Sequence, residues 1–232
     1  MRSPRLDVEA FHAWSPVNFH PDPLYAIVDA EAAARAGRRP LDLARVFIDG
    51  GARFLQLRAK ILPGAAFLEM AAAIVQLAHA RGASVIVNDR ADIARLAGAD
   101  GVHVGQEDLS PAAVRSLVGE DAIVGLSTHT VEQLEGALNQ PVSYVAIGPV
   151  FGTTTKVTGH ARVGLEMVRE AARRTSARGL PLVAIGGIAL ESAPSVLAAG
   201  AASVAVISDL LSTGDPERRV REFLTRLKMA DG

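Results

Sequence analysis

The chain has 232 residues, enough for one α/β barrel, a fold that routinely runs past about 200 residues as a single domain. Its composition is 49% hydrophobic but only 4% aromatic, so the core must be close-packed Ala, Val, Leu and Ile, which suits parallel strands covered by helices. A formal net charge of -1 without a long Lys/Arg run argues against nucleic acid as a partner, and the lack of cysteine excludes a disulfide framework and a thiolate metal site.

The lack of cysteine also fits a reducing compartment, and the cytoplasm is the expected location. Arg2 and Arg5 are followed by Asp7, Glu9 and His12 before an apolar stretch can form, so no signal peptide is expected. The alanine-rich residues 71–80 are interrupted by Gln76 and His79, well short of the uninterrupted span a bilayer needs.

In chain order, residues 1–22 carry Pro4, Pro16 and Pro21, show no period and read as an extension, with a catalytic barrel expected over 23–232. Short β-branched runs then alternate with helical patterns, as repeated βα units require. The predicted strands are 25–28, 54–57, 85–87, 102–104, 123–126, 144–147, 182–185 and 204–207, eight in all. Between and after them, apolar residues recur at helical spacing, for example Phe67, Met70, Ile74 and Leu77, or Val220, Phe223, Leu224 and Leu227. Ser110-Pro111 and Asp215-Pro216 look like helix starts, Thr130 with Gln133 resembles a capping box, and Gly82, Gly98, Gly119 and Gly200 suit helix ends. Eight evenly spaced units predict a closed (β/α)8 TIM barrel rather than an open doubly wound sheet, whose strand order must reverse at a switch point.

In such a barrel, side chains at the carboxyl ends of the strands converge on one mouth. After the second predicted strand, Gln56, Arg58 and Lys60 share one side of an extended segment, a pattern that also fits a solvated strand end. Asn88-Asp89 follows the third and Gly105-Gln106-Glu107-Asp108 the fourth, bringing carboxylates toward those cations. Mg2+ takes one or two protein carboxylates and completes its shell with water and phosphate oxygens, so Asp89 and Asp108 would suffice; each could instead cap a helix or pair with Arg90. The fifth strand runs into Ser127-Thr128-His129-Thr130. The sixth runs into a loop whose Thr153, Thr154, Thr155 and Lys156 offer hydroxyls, amides and one cation to an anion. Gly186-Gly187-Ile188 and Ile207-Ser208-Asp209 stand where barrels recurrently bind phosphate, in the loops after strands seven and eight. His103, inside a predicted strand, reads as a packed interior histidine, whereas His129 suits either a substrate contact or loop support. His12, His20, His79 and His160 show no metal-ligand spacing with one another or with Asp/Glu, so a histidine-based zinc site is not expected.

These motifs, Gln56-x-Arg58-x-Lys60, Asn88-Asp89, Gly101 to Asp108, Ser127-x-His129-Thr130, Gly148-Pro149-x-Phe151-x-Thr153-x-Thr155-Lys156, Gly186-Gly187-Ile188 and Ile207-Ser208, occur together and resemble those of the thiamine phosphate synthase family over about 24–228. The resemblance implies a Mg2+-dependent transferase that condenses hydroxymethylpyrimidine diphosphate with a thiazole phosphate and releases pyrophosphate. It implies that Arg58, Lys60, Ser127 and Lys156 carry catalysis and that Asp89 and Asp108 hold the metal. The pyrimidine diphosphate would contact Gln56, Arg58, Lys60, Asn88, Ser127 and Lys156, with Leu57 and Ala59 of the same run among the substrate-binding positions. Thr153, Thr154, Thr155, Gly187, Ile207 and Ser208 would receive the thiazole phosphate. Two departures stand out: Ala59 replaces a residue often acidic in the family, and 157–162 differ from its pattern. A tautomerase-like relative acting on the thiazole phosphate alone, and a non-catalytic phosphometabolite-binding barrel, are the rival readings. Small molecules are the expected partners, with neither nucleic acid nor membrane, and a homo-oligomer is left open.

Overall fold

A computed structural model describes residues 19–152 and 161–229. Eight parallel strands close in sequence order: β1 (Leu24–Asp29), β2 (Phe54–Arg58), β3 (Ser84–Asn88), β4 (Gly101–Val104), β5 (Ile123–Thr128), β6 (Tyr144–Ile147), β7 (Leu182–Ile185) and β8 (Ser203–Val206). Leu24 pairs with Val204, which shuts the barrel, so the open-sheet alternative is excluded.

Strand alternation sorts the side chains into two layers. Leu24, Ala26 and Val28 of β1, and Leu55 and Leu57 of β2, pack outward against the helices. Tyr25, Ile27 and Phe54 point inward, with Tyr144 and Ala146 of β6, Val183 of β7 and Ala205 of β8. Tyr25 stacks on Phe54 with ring centroids 3.8 Å apart, and Tyr144 meets both edge-on at 6.1 Å. Phe19, ahead of β1, lies 5.4 Å from Phe54 and 5.8 Å from Tyr144, so the lead-in to the first strand contributes to the interior. Gly125 on β5 makes room for this cluster, since a Cβ there would run into the Tyr144 ring and the His103 imidazole.

The helices are α1 (Ala30–Arg35), α2 (Pro40–Asp49), α3 (Gly64–His79), α4 (Ala91–Ala97), α5 (Pro111–Val118), α6 (Val131–Ala137), α7 (Gly164–Ser176), α8 (Ala193–Ala198) and α9 (Pro216–Lys228). Ser110 caps α5 by accepting from Ala113 N, and Asp215 caps α9 by accepting from Arg218 N. Thr130 caps α6 through Gln133 N, but the Gln133 side chain reaches back to His129 N, one residue beyond the usual capping-box partner. Gly98 ends α4 in the left-handed conformation its sequence position suggests. In α9, Val220, Phe223 and Leu227 are buried as the spacing predicts. In α3, by contrast, the most buried face runs through Phe67, Ala71, Ile74, Val75 and Ala78, with Met70 and Leu77 only flanking it. Ile207, expected in the last strand, instead leaves it: β8 stops at Val206 and Ile207 turns the chain into a 3-10 turn, Ser208–Leu211. No helix among the described residues is long and apolar enough to cross a membrane.

Candidate active site

The mouth is built from two chemically different parts. The first is a charged rim at the ends of β1 to β4. Asp29 closes β1, is 2% exposed, and caps α1 by accepting from Ala32 N at 2.7 Å. Register pairs Asp29 with Arg58 at the end of β2, and the Arg58 Nη1 reaches the Asp29 carboxylate at 2.5 Å. Glu31, in the first turn of α1, accepts from Arg58 at 3.5 Å and from the backbone N–H groups of Lys60 at 2.9 Å and Ile61 at 3.3 Å. The guanidinium and the following loop are thus held by two carboxylates, while Arg58 Nε is buried without a hydrogen-bond partner.

Lys60 pairs with Asp89. Asp89 has φ 63, a left-handed conformation that Asp tolerates better than most residues, and its N–H donates to His103 O at 2.8 Å. Asp108 accepts from Gly105 N at 2.8 Å, closing the turn after β4, and its carboxyl faces that of Asp89. Burial lifts the Asp89 carboxyl above its ordinary value; the Lys60 ammonium opposes that rise, and the facing Asp108 adds to it. The alternative roles considered for these aspartates are filled by others: Ser110 caps α5, and Arg90 pairs with Asp92 at 2.6 Å. Asn88, buried at the end of β3, stands beside them.

The second part is the neutral interior. Gln56 Nε2 donates to Tyr25 Oη at 2.8 Å, and Tyr25 Oη lies 3.1 Å from Tyr144 Oη. Tyr144 Oη is 2.9 Å from His103 Nδ1, and His103 Nε2 is 2.8 Å from Ser127 Oγ. Burial pushes both tyrosine hydroxyls well up from their ordinary value, so each stays protonated. Above this chain opens a cleft of about 830 Å3, counting its solvent-filled mouth, lined by Ser127, His129, Gly186, Gly187, Ile207 and Ser208 among others. His129 is occupied in loop support, its Nδ1 lying 2.6 Å from Gly148 O.

Loops after β6 and β7 are sewn together: Val150 N and Phe151 N donate to Ile185 O and Gly186 O, each at 2.9 Å. Gly187 has φ 67, and a Cβ there would collide with the Gly152 carbonyl oxygen and with Phe151. Glycine is therefore required by the neighbouring loop as well as by any ligand. Asp209 would repel an anion beside Ser208, but its carboxylate is taken by Arg219 of α9 at 2.7 Å and by Leu190 N at 3.1 Å.

Of the residues singled out by sequence, the fold brings Gln56, Arg58, Lys60, Asn88, Asp89, Asp108 and Ser127 to the mouth of strands β2 to β5, and Gly187, Ile207 and Ser208 to the cleft. Leu57 and Ala59 are turned outward into the helical layer, so as side chains they are core residues, and only their backbone is available to a ligand. Gln56, Arg58 and Lys60 alternate with the outward Leu55, Leu57 and Ala59 and so share one side, but each is already engaged: Gln56 with Tyr25, Arg58 with Asp29 and Glu31, Lys60 with Asp89. Thr153, Thr154, Thr155 and Lys156 lie outside the described residues. Four residues escaped the sequence reading: Asp29, Glu31, Tyr25 and Tyr144. Asp29 stands at a strand end, the position the barrel rule marks, and Tyr25 and Tyr144 are the chain's only two tyrosines, both in predicted strands.

A family model described as thiamine monophosphate synthase matches residues 24–210. A thiamine-phosphate synthase from Roseiflexus sp. is 41% identical over 199 residues, covering 85% of this chain and 82% of its own. One from Koribacter versatilis is 45% identical over 214 residues, covering 87% and 93%. The structure of a thiamine phosphate pyrophosphorylase from Pyrococcus furiosus superposes with a TM-score of 0.80 at 29% identity, covering 90% of this chain and 96% of that one.

Proposed function

The chain belongs to the thiamine monophosphate synthase family and forms thiamine phosphate, and we propose that it does so by joining a pyrimidine methyl diphosphate to a thiazole phosphate with Mg2+ at the Asp89/Asp108 pair. The observation that supports this reading is the division of the mouth into a charged rim and a neutral cleft bordered by Gly187, Ile207 and Ser208. Two substrates each bear phosphate, and only one expels pyrophosphate, a highly charged leaving group that calls for a metal.

The rim fits a divalent cation. Among the described residues it sets the carboxylates of Asp29, Glu31, Asp89 and Asp108 against the cations of Arg58 and Lys60, an excess of negative charge. No cluster of three or more His or carboxylate ligands is present among those residues, but a pair of hard oxygen ligands is what Mg2+ takes when phosphate completes its shell. Bound there, the ion would neutralise charge on the departing pyrophosphate.

The chain's own residues then act as follows. Arg58 and Lys60 place positive charge beside the pyrophosphate as the bond from the pyrimidine methylene breaks, and Lys156 adds a third cation by family resemblance. At about 4 Å and an effective dielectric near 20, each such contact is worth at most about 4 kcal/mol. Gln56 and Asn88 orient the pyrimidine, and Ser127 contacts its diphosphate. The backbone at Gly187, Ile207 and Ser208, with Thr153 to Thr155, holds the thiazole phosphate so that the ring nitrogen faces the cationic methylene carbon. No nucleophile from the protein is used. A chain without cysteine suits the reducing cytoplasm for this work.

The test is to supply purified protein with both phosphorylated halves and Mg2+ and to measure pyrophosphate. Release that requires both halves supports the condensation. Release from the pyrimidine diphosphate alone makes the protein a hydrolase, and conversion of the thiazole phosphate alone makes it a tautomerase.

A further inference from the structure

Gln56, Tyr25, Tyr144, His103 and Ser127 form an unbroken line of hydrogen-bonding groups across the barrel, joining β2, β1, β6, β4 and β5. The protons in such a line cannot be placed independently, because each group with one proton donates once. The Gln56 amide N–H donates to the Tyr25 oxygen, and the acceptor in reach of the buried Tyr25 proton is the Tyr144 oxygen; leaving that proton without an acceptor would be costly, so it is directed to Tyr144. The Tyr144 proton must then go to His103 Nδ1, which requires a lone pair on Nδ1 and a proton on Nε2. Nε2–H in turn donates to Ser127 Oγ, so the serine proton has to point away from the histidine. Ser127 lines the cleft, the side left open to that proton.

We propose that this one-way chain commits Ser127 to donate its hydrogen bond to the substrate, with His103, Tyr144, Tyr25 and Gln56 acting as positioning residues. Ser127 is then neither a base nor a nucleophile; it is a preset donor to an oxygen that gains negative charge. Burial keeps the protons on both tyrosines, so the direction does not lapse by ionisation. The inference rests on the condensation reading for its substrate, but the direction of the chain can be read without turnover.

Nitrogen-15 NMR of the full-length protein, free of ligand, reports which ring nitrogen of His103 carries the proton. The expected result is a neutral ring protonated at Nε2. Protonation at Nδ1 would mean that the chain runs the other way, with Ser127 donating to histidine, and would overturn the proposal whatever the enzyme's activity.

Tyr144→Phe keeps the ring stacked on His103, whose centroid is 5.5 Å away, and removes only the hydroxyl link. It should lower kcat about tenfold with KM for both halves changed less than about twofold, since a preset donor acts mainly on developing charge. Ser127→Ala should cost about a hundredfold, and the double variant no more than Ser127→Ala alone, because the tyrosine acts only through the serine. Losses that multiply would show that Tyr144 acts independently and overturn the chain. If wild type itself requires no thiazole phosphate to release pyrophosphate, the functional reading fails while the tautomer result stands.

Discussion

At the ends of β1 to β4 the mouth is lined by groups carrying full charge, whereas the interior is crossed by neutral polar groups paired from Gln56 to Ser127, and the buried Ser203 Oγ has no partner among the described residues. The difference follows from solvation. A charge carried into the interior without compensation costs several kcal/mol, so a chain of phenols, an amide, an imidazole and a hydroxyl is used where water is excluded. At the rim, where water reaches, charges can be held in excess, and Asp89 faces Asp108 while pairing with the Lys60 ammonium. On the proposed reading the interior presets direction, and the rim supplies electrostatic strength.

The largest expected effect breaks the rim. Asp89→Asn keeps a side chain that tolerates the left-handed backbone at φ 63 but removes the charge of the proposed metal ligand, and should lower turnover more than about a hundredfold while the far-UV circular dichroism is unchanged. Asp108→Asn should do the same. Full activity in either, or activity indifferent to a chelator, would remove the magnesium assignment and leave the rim as an ordinary ion-pair cluster.

Lys156→Ala should come next, lowering kcat more than it raises KM, with ΔΔG‡ of roughly 2 to 4 kcal/mol, the loss of one preorganised contact to growing charge. Lys156→Arg should recover only part, since a planar fork does not replace a point charge. Single-turnover chemistry at the wild-type rate with weakened binding alone would make Lys156 a docking residue.

Gly187→Val tests where the two parts meet. On sequence grounds it blocks backbone approach at the thiazole phosphate only; in the structure its side chain would also push against Phe151 and Gly152, at the root of the loop that carries Thr153 to Lys156. Both substrates should therefore bind more weakly, with the larger loss for the thiazole phosphate, as read by titration of each separately. A loss confined to one would show that the loop yields without consequence.

The smallest effect concerns stability. The Asp89 carboxyl is raised above its ordinary value of 3.8, first by burial and then by Asp108, against the pull of Lys60. A carboxyl raised in the folded state costs nothing while both states are protonated, and the cost grows as pH rises through the interval between the unfolded and folded values. Asp89→Asn should thus be slightly more stable than wild type at neutral pH, by about 1 kcal/mol or less, and the gap should close below the ordinary aspartate value. Denaturant midpoints at the two pH values check this, and a less stable variant at neutral pH would mean that the Lys60 pairing outweighs the crowding of the two carboxyls.

Much of this molecule is written locally. Periods of two and 3.6 residues, a capping serine or aspartate before proline, and polar residues at strand ends require only the chain's immediate neighbours to be read, and they determined the eight strands, their order and the mouth at which Asp89, Asp108 and Ser127 converge. Partner choice is not local. Tyr25 and Tyr144 are 119 positions apart in sequence and meet only because the closed barrel points both inward at matching depth; Arg58 meets Asp29 through the β1–β2 register; and Gly187 is confined by a loop from the preceding unit. The sequence by itself determined which kinds of groups reach the mouth, because side-chain direction follows from strand alternation. Only the tertiary structure decided which of them are already engaged with one another, because that depends on the distances that closure sets between strands remote in the chain.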